Sequence, residues 1–170
     1  MSQGTMKEVL KELENMRFPT RNPILDRTRM NVLGGKKEAE KKNLIEVFSL
    51  GLTRAYNRTE LVESKFNRRF PKLHSLLTKL MKQKDPSYKF TSIQINKDVK
   101  TDFHTDKNNI DKSYCLSLGN FTGGALELKK GDKIVPINTK NRMVFYDGSI
   151  EHRTGAFKGT RYAIIWFRRK

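Results

Sequence analysis

Two of the three histidines stand where they could hold a metal. In Phe103-His104-Thr105-Asp106 an imidazole and a carboxylate are separated by one residue. Alternate residues of a strand share a face, so on a strand His104 and Asp106 point at one spot. His152, in Ile150-Glu151-His152-Arg153-Thr154, lies on a later β-rich run and supplies a second imidazole. Two imidazoles and one carboxylate occupy one face of an octahedral metal. Three positions stay open, an arrangement suited to non-haem Fe(II) that leaves room for a bidentate co-substrate and O2. Each residue alone has a plainer reading, a turn, a surface ion pair or a packing histidine. The same donors also suit a zinc hydrolase. The nearest general base for that chemistry, Glu151, should face away from His152 on a strand.

Arg161 follows His152 by nine positions. A guanidinium buried beside a metal pocket calls for an anion, and its rigid fork matches a carboxylate. 2-Oxoglutarate would satisfy both sites, with its keto and carboxylate oxygens on the metal and its far carboxylate on Arg161. Tyr114 could offer a hydroxyl to that far carboxylate, or be a core aromatic. Asn108 and Asn109 fall at the pocket mouth, where an amide could bond a base edge or the co-substrate. Ser92, Gln94 and Asn96 share one strand face and could line the cavity. His74 and Cys115 read as packing residues, Cys115 beneath a helix.

The elements that must position these groups divide the chain in two. Residues 1–88 read as a helical layer that does not fold alone, and 89–170 as the core. Val9, Leu10 and Leu13 mark a helix over Met6–Met16. Residues 17–36, with Pro19, Pro23 and Gly34-Gly35, read as a loop. Leu44, Val47, Phe48, Gly51 and Leu52 predict a second helix over Lys37–Tyr56, and Leu61–Phe66 a short third. Pro71 suits the first turn of a helix ending near Lys84, with Leu73, Leu76, Leu77 and Leu80 as its stripe. After residue 88 the period shortens. Runs at 89–95, 102–106, 113–118, 125–128, 133–137, 142–146, 150–154 and 161–168 alternate with glycine-rich turns. Eight short strands fit a double-sheet jelly roll, an α+β fold once the helices cover one sheet. Tyr162, Ile164 and Trp166 are the outward face available for that cover.

The spacing of His104, Asp106, His152 and Arg161 resembles the HxD…H…R pattern of the Fe(II)/2-oxoglutarate-dependent dioxygenases. The resemblance covers about residues 89–168 and implies a double-stranded β-helix core. It also implies Fe(II), 2-oxoglutarate and O2, with His104, Asp106 and His152 as catalytic metal ligands and Arg161 as the co-substrate anchor. Leu118–Leu126, Val144–Gly148 and Phe157–Tyr162 look like the TET and JBP branch of nucleic-acid base hydroxylases.

Composition narrows the partners. The chain of 170 residues carries 35 Lys+Arg against 18 Asp+Glu, a net charge of +17. Residues 1–85 hold 19 basic and 10 acidic side chains, so the excess is spread over both halves. Such a charge attracts polyanions, nucleic acid first among them. One cysteine excludes an internal disulfide framework. No run approaches the roughly 20 apolar residues of a membrane span, and no secretion signal is read. The expectation is an intracellular, nuclear or cytoplasmic, monomeric oxygenase. Its expected substrate is the methyl group of 5-methylcytosine or thymine in DNA or RNA. A protein or peptide side-chain hydroxylase and a non-catalytic nucleic-acid-binding jelly roll are the alternatives.

Overall fold

The apolar stripes of the first half do find the sheet face expected for them, though not all as helices. The computed structural model describes residues 2–21, 32–33, 45–54, 59–107 and 109–170. Helix α1 (Ser2–Asn15) buries Met6, Val9 and Leu13. Strand β1 (Thr20–Arg21) pairs with β3 (Ile45–Arg54), and β2 (Val32–Leu33) lies between them in sequence. Strand β4 (Leu61–Glu63) pairs back on β3, followed by α2 (Phe66–Arg69) and α3 (Pro71–Lys84). Pro71 starts α3, where a missing N–H costs nothing. The core strands are β5 (Ser92–Lys97), β6 (Lys100–Thr101), β7 (Asn109–Gly123) and β8 (Leu126–Lys130). They continue with β9 (Lys133–Ile137), β10 (Val144–Tyr146), β11 (His152–Thr154) and β12 (Phe157–Arg169).

Two expected helices are corrected, and the expected loop over residues 17–36 holds β1 and β2. Residues 45–54 of the expected helix over Lys37–Tyr56 form β3; residues 37–44, 55 and 56 lie outside the described residues. In β3, Phe48 and Leu50 join the helix-side core. Val47 and Ser49 sit opposite Asn96 and Gln94 across the ladder and share the other face. A strand buried on both faces is apolar on consecutive residues, and spacing alone does not separate it from a buried helix. Likewise 61–66 opens with β4, and helix begins only at Phe66.

The larger sheet runs β1-β3-β5-β12-β7-β10, with β4 on β3. The smaller runs β11-β8-β9, and β2 pairs with β6. Every pairing between these strands is antiparallel. On β12, Tyr162, Ile164 and Trp166 pack in one cluster with Val9 and Leu13 of α1 and Leu73, Leu77 and Leu80 of α3. Trp166 is fully buried, and its indole N–H donates to the Leu77 carbonyl at 3.2 Å. The opposite face of the same sheet meets the smaller sheet through Cys115, Tyr146, Leu126, Leu128, Ile137 and Ile165. Cys115 therefore packs between the sheets rather than beneath a helix. This is the jelly roll and α+β arrangement expected, with helices on one face and the site on the other.

Candidate metal centre

His104 and His152 are brought together by the backbone. Each donates its N–H to the other's carbonyl at 3.0 Å, an isolated antiparallel bridge. The expected strand over residues 102–106 shrinks to this bridge. Asp106 is then held by its own N–H on the Gly148 carbonyl at 2.8 Å. The result is the expected convergence: the ligand atoms of His104, Asp106 and His152 all lie within 4.8 Å of one another. His152 Nε2 stands 3.4 Å from Asp106 Oδ2, and His104 Nε2 stands 3.7 Å from Oδ1.

Both rings are oriented by the same device. Nδ1 of His104 faces the Asp102 carbonyl at 2.7 Å, and Nδ1 of His152 faces the Ile150 carbonyl at 2.7 Å. A carbonyl only accepts, so Nδ1 carries the proton and Nε2 presents its lone pair toward Asp106. Donors about 2.1 Å from one metal at right angles stand about 3 Å apart. The two imidazole–carboxylate spacings, 3.4 and 3.7 Å, exceed that by less than about 1 Å, so the donor set fits an octahedral ion such as Fe(II) after a small inward movement of the side chains. Burial lowers the His104 pKa, offset only partly by its bond to the Asp102 carbonyl and by Asp106. Burial also pulls His152 down, but the Asp106 carboxylate, together with the Ile150 carbonyl and Asp147, raises that pKa above the ordinary value.

Arg161 lies on the same side of the large sheet and is 4% exposed. Its Nη2 donates to Ser117 Oγ at 2.8 Å and to the Gly124 carbonyl at 3.1 Å. Its guanidinium lies near the rings of Phe121 and Phe157. Among the described residues its buried Nε has no hydrogen-bond partner. Burial presses its pKa downward. A buried cation with an unused donor is costly until an anion meets it, which suits the far carboxylate of 2-oxoglutarate.

The remaining sequence candidates divide. Tyr114 is corrected: its hydroxyl donates to Asp85 Oδ2 at 2.8 Å, and its ring belongs to the helix-side core. Adjacent strand residues face opposite ways, so Tyr114 faces away from Cys115, Ser117 and Arg161. Asn108 lies outside the described residues, and Asn109 opens β7. Gln94 and Asn96 do share the inner face, where Gln94 Nε2 donates to Asn96 Oδ1 at 3.2 Å. Glu151 faces outward onto Lys129 at 3.5 Å, as expected of a residue next to His152. His74 is half-buried on α3, away from this site.

Two neighbours, Tyr146 and Gly148, are given no site role by sequence and stand only within the Val144–Gly148 resemblance. The Tyr146 ring lies 5.3 Å from the His152 ring, nearly edge-on, and is buried. Gly148 touches Asp106 so closely that a Cβ there would lie 2.6 Å from Oδ2. Asp147-Gly148 reads as a turn in sequence, and the contact with Asp106 shows what the glycine leaves room for.

With the geometry in hand, known structures supply the comparison. The structure of NgTET1 in complex with 5mC DNA aligns over 79% of this chain at a TM-score of 0.56 and 16% identity. An oxidoreductase of the 2OG-Fe(II) oxygenase family from Burkholderia pseudomallei aligns over 73% at a TM-score of 0.51 and 18% identity. This is the fold of the 2OG-Fe(II) oxygenases. The chain spans 65% of the length of each of these two proteins. A Pseudomonas putida prolyl-4-hydroxylase aligns over 97% of the chain with a TM-score of 0.43 and 13% identity. No family model matches the sequence, and comparison with curated proteins returns no match. Among the described residues no helix is long and apolar enough to cross a membrane.

Proposed function

We propose that this protein is an Fe(II)/2-oxoglutarate-dependent dioxygenase that hydroxylates the methyl group of 5-methylcytosine or thymine in nucleic acid. The observation that carries the enzyme reading is the meeting of His104, Asp106 and His152, with both histidine Nδ1 atoms committed to carbonyls. His104, Asp106 and His152 would hold Fe(II), and Arg161 the far carboxylate of 2-oxoglutarate. Iron, 2-oxoglutarate and O2, when bound, supply the oxidation of an unactivated C–H bond. The chain's own part is to fix the ligand tautomers, anchor the co-substrate and exclude water. Leu126, Leu128, Ile137 and Ile165 wall the space between the sheets with apolar surface.

The nucleic-acid reading rests on charge, on the resemblance to base hydroxylases and on the fold shared with a protein solved on 5mC DNA. An exposed aromatic lies on the opposite face of the same sheet. Phe145 is 48% exposed on the edge strand β10, one residue before Tyr146. Its ring lies 4.6 Å from that of Tyr114, with Lys112 Nζ 5.6 Å from its centroid. Because Phe145 packs on Tyr114, this pair belongs to the helix side of the sheet and not to the mouth of the metal pocket. A base within a duplex would have to be flipped to reach buried ligands.

The test is mass spectrometry of 5-methylcytosine- and thymine-containing oligonucleotides after incubation with Fe(II), 2-oxoglutarate and O2. A gain of one oxygen on a base, lost in Asp106→Ala, is the expected result. Oxygen appearing only on a peptide pool would overturn the substrate and leave the iron chemistry.

A further inference from the structure

His104 and His152 face the metal site, so their neighbours Phe103 and Arg153 face the outside of the small sheet. There they meet. The Arg153 guanidinium lies 4.3 Å from the centroid of the Phe103 ring. Its Nε donates to Glu127 Oε1 at 2.7 Å, and Glu127 is the residue paired with Arg153 across β8. Lys129 Nζ approaches the same ring at 5.4 Å and is itself paired with Glu151. Gly155 leaves the space that Glu127 uses, since a Cβ there would lie 2.9 Å from Oε2. The ladder Phe103–Arg153–Glu127 thus runs across the outer face directly behind the row His104–His152–Leu128 on the inner face.

The segment that carries His104 is tied to its neighbours by few backbone bonds, the pair between His104 and His152 and one from Asp106 to Gly148. Residues 102–106 belong to no strand, and His104 joins the sheet by a single bridge. A ligand on such a segment needs its angle set by side chains. We propose that Phe103, Arg153 and Glu127 form a clamp that positions His104 and His152 for the metal, with Lys129 and Glu151 as a second brace. They are positioning residues and touch neither metal nor substrate. The ring supplies an apolar face that Arg153 covers, and Glu127 aims the guanidinium. Loosening the clamp lets His104 swing away from Asp106.

This inference rests on the His104, Asp106 and His152 metal reading, and one experiment separates the two. Mn(II) binding to the full chain is measured by calorimetry and by electron paramagnetic resonance. Wild type should bind one Mn(II), and Asp106→Ala should lose it; equal binding by these two overturns the metal reading itself. Given binding by wild type, Arg153→Leu and Phe103→Leu should each weaken Mn(II) by about 10–100-fold, the usual cost of losing a residue that orients a ligand. The resonance at saturating metal should broaden or shift. Phe103→Trp keeps the cation–ring contact and should hold affinity within about threefold of wild type. If Arg153→Leu does not fold, the contrast between Phe103→Leu and Phe103→Trp decides. Wild-type affinity and spectrum in folded Phe103→Leu, or equal losses in Phe103→Leu and Phe103→Trp, overturn the clamp.

Discussion

The Asp106 carboxylate and the Arg161 guanidinium each depend on a glycine that leaves room for them. Gly148 admits Asp106 Oδ2, and Gly124 admits Arg161. A Cβ at position 124 would stand 2.6 Å from Arg161 Nε and 2.9 Å from Cδ, and the backbone there has φ +73°. Gly124→Ala should therefore push the guanidinium off its anion site and strain the turn. We expect it to weaken 2-oxoglutarate binding by about tenfold or more, about 1.4 kcal/mol, with Mn(II) affinity within about twofold of wild type. Arg161→Lys keeps the charge without the fork and should show the same split. Calorimetric titration of metal, then of 2-oxoglutarate, reads both. Unchanged co-substrate affinity in Arg161→Lys and Gly124→Ala would move the anchor elsewhere.

Between elements, the Tyr114 hydroxyl ties β7 to Asp85, the residue that follows α3. That bond is the first cause of the lowered Asp85 pKa, ahead of the bond from Ser87. The Tyr114–Asp85 tie is therefore at full strength above the ordinary carboxylate range. It fades as pH falls through the lowered folded-state value, where Asp85 takes up a proton. Tyr114→Phe should lower the melting temperature by about 2–4 °C at neutral pH, a difference that shrinks in acid. It should leave 2-oxoglutarate binding as in wild type, because the hydroxyl lies on the helix side of the sheet. Loss of co-substrate affinity would restore the site role that the sequence suggested. The β3 segment carries a related lesson. Its apolar residues suit a helix until β5 is seen beside it, donating and accepting along six register positions.

For the molecule as a whole, the two faces of one sheet do different work. One face is sealed by α1 and α3 over Phe48, Leu50, Ile93, Leu116, Ile164 and Trp166. The other carries the polar site. We expect a fragment beginning at residue 86 to lose both the helices and β3, exposing a large apolar face and an unpaired β5 edge. It should aggregate, or bind a hydrophobic dye without a cooperative melt. A soluble fragment with a sharp transition would show that residues 1–88 are a separable layer. The charge of +17 belongs to this scale too. It is read from composition, yet Lys112, near the Phe145 ring, follows exposed Asp111 directly in the chain. Net charge says that a polyanion is attracted, and not where it lies.

His104, Asp106, His152 and Arg161 could be picked from the sequence because their chemistry is rare and their spacing is local or fits strand alternation. The outward stripe of Tyr162, Ile164 and Trp166 and the helix of residues 71–84 were legible for the same reason, a period carried by adjacent residues. What sequence could not decide depends on partners distant in the chain. Residues 45–54 become a strand because β5 and β1 pair with them, an energy that no local window contains. Tyr114 leaves the site because the sheet face it occupies belongs to the helices. Gly148 and the Phe103–Arg153–Glu127 ladder acquire meaning only when β8, β11 and the His104 segment lie side by side. Alternation along a strand tells which residues share a face; only the packed sheets tell what that face meets.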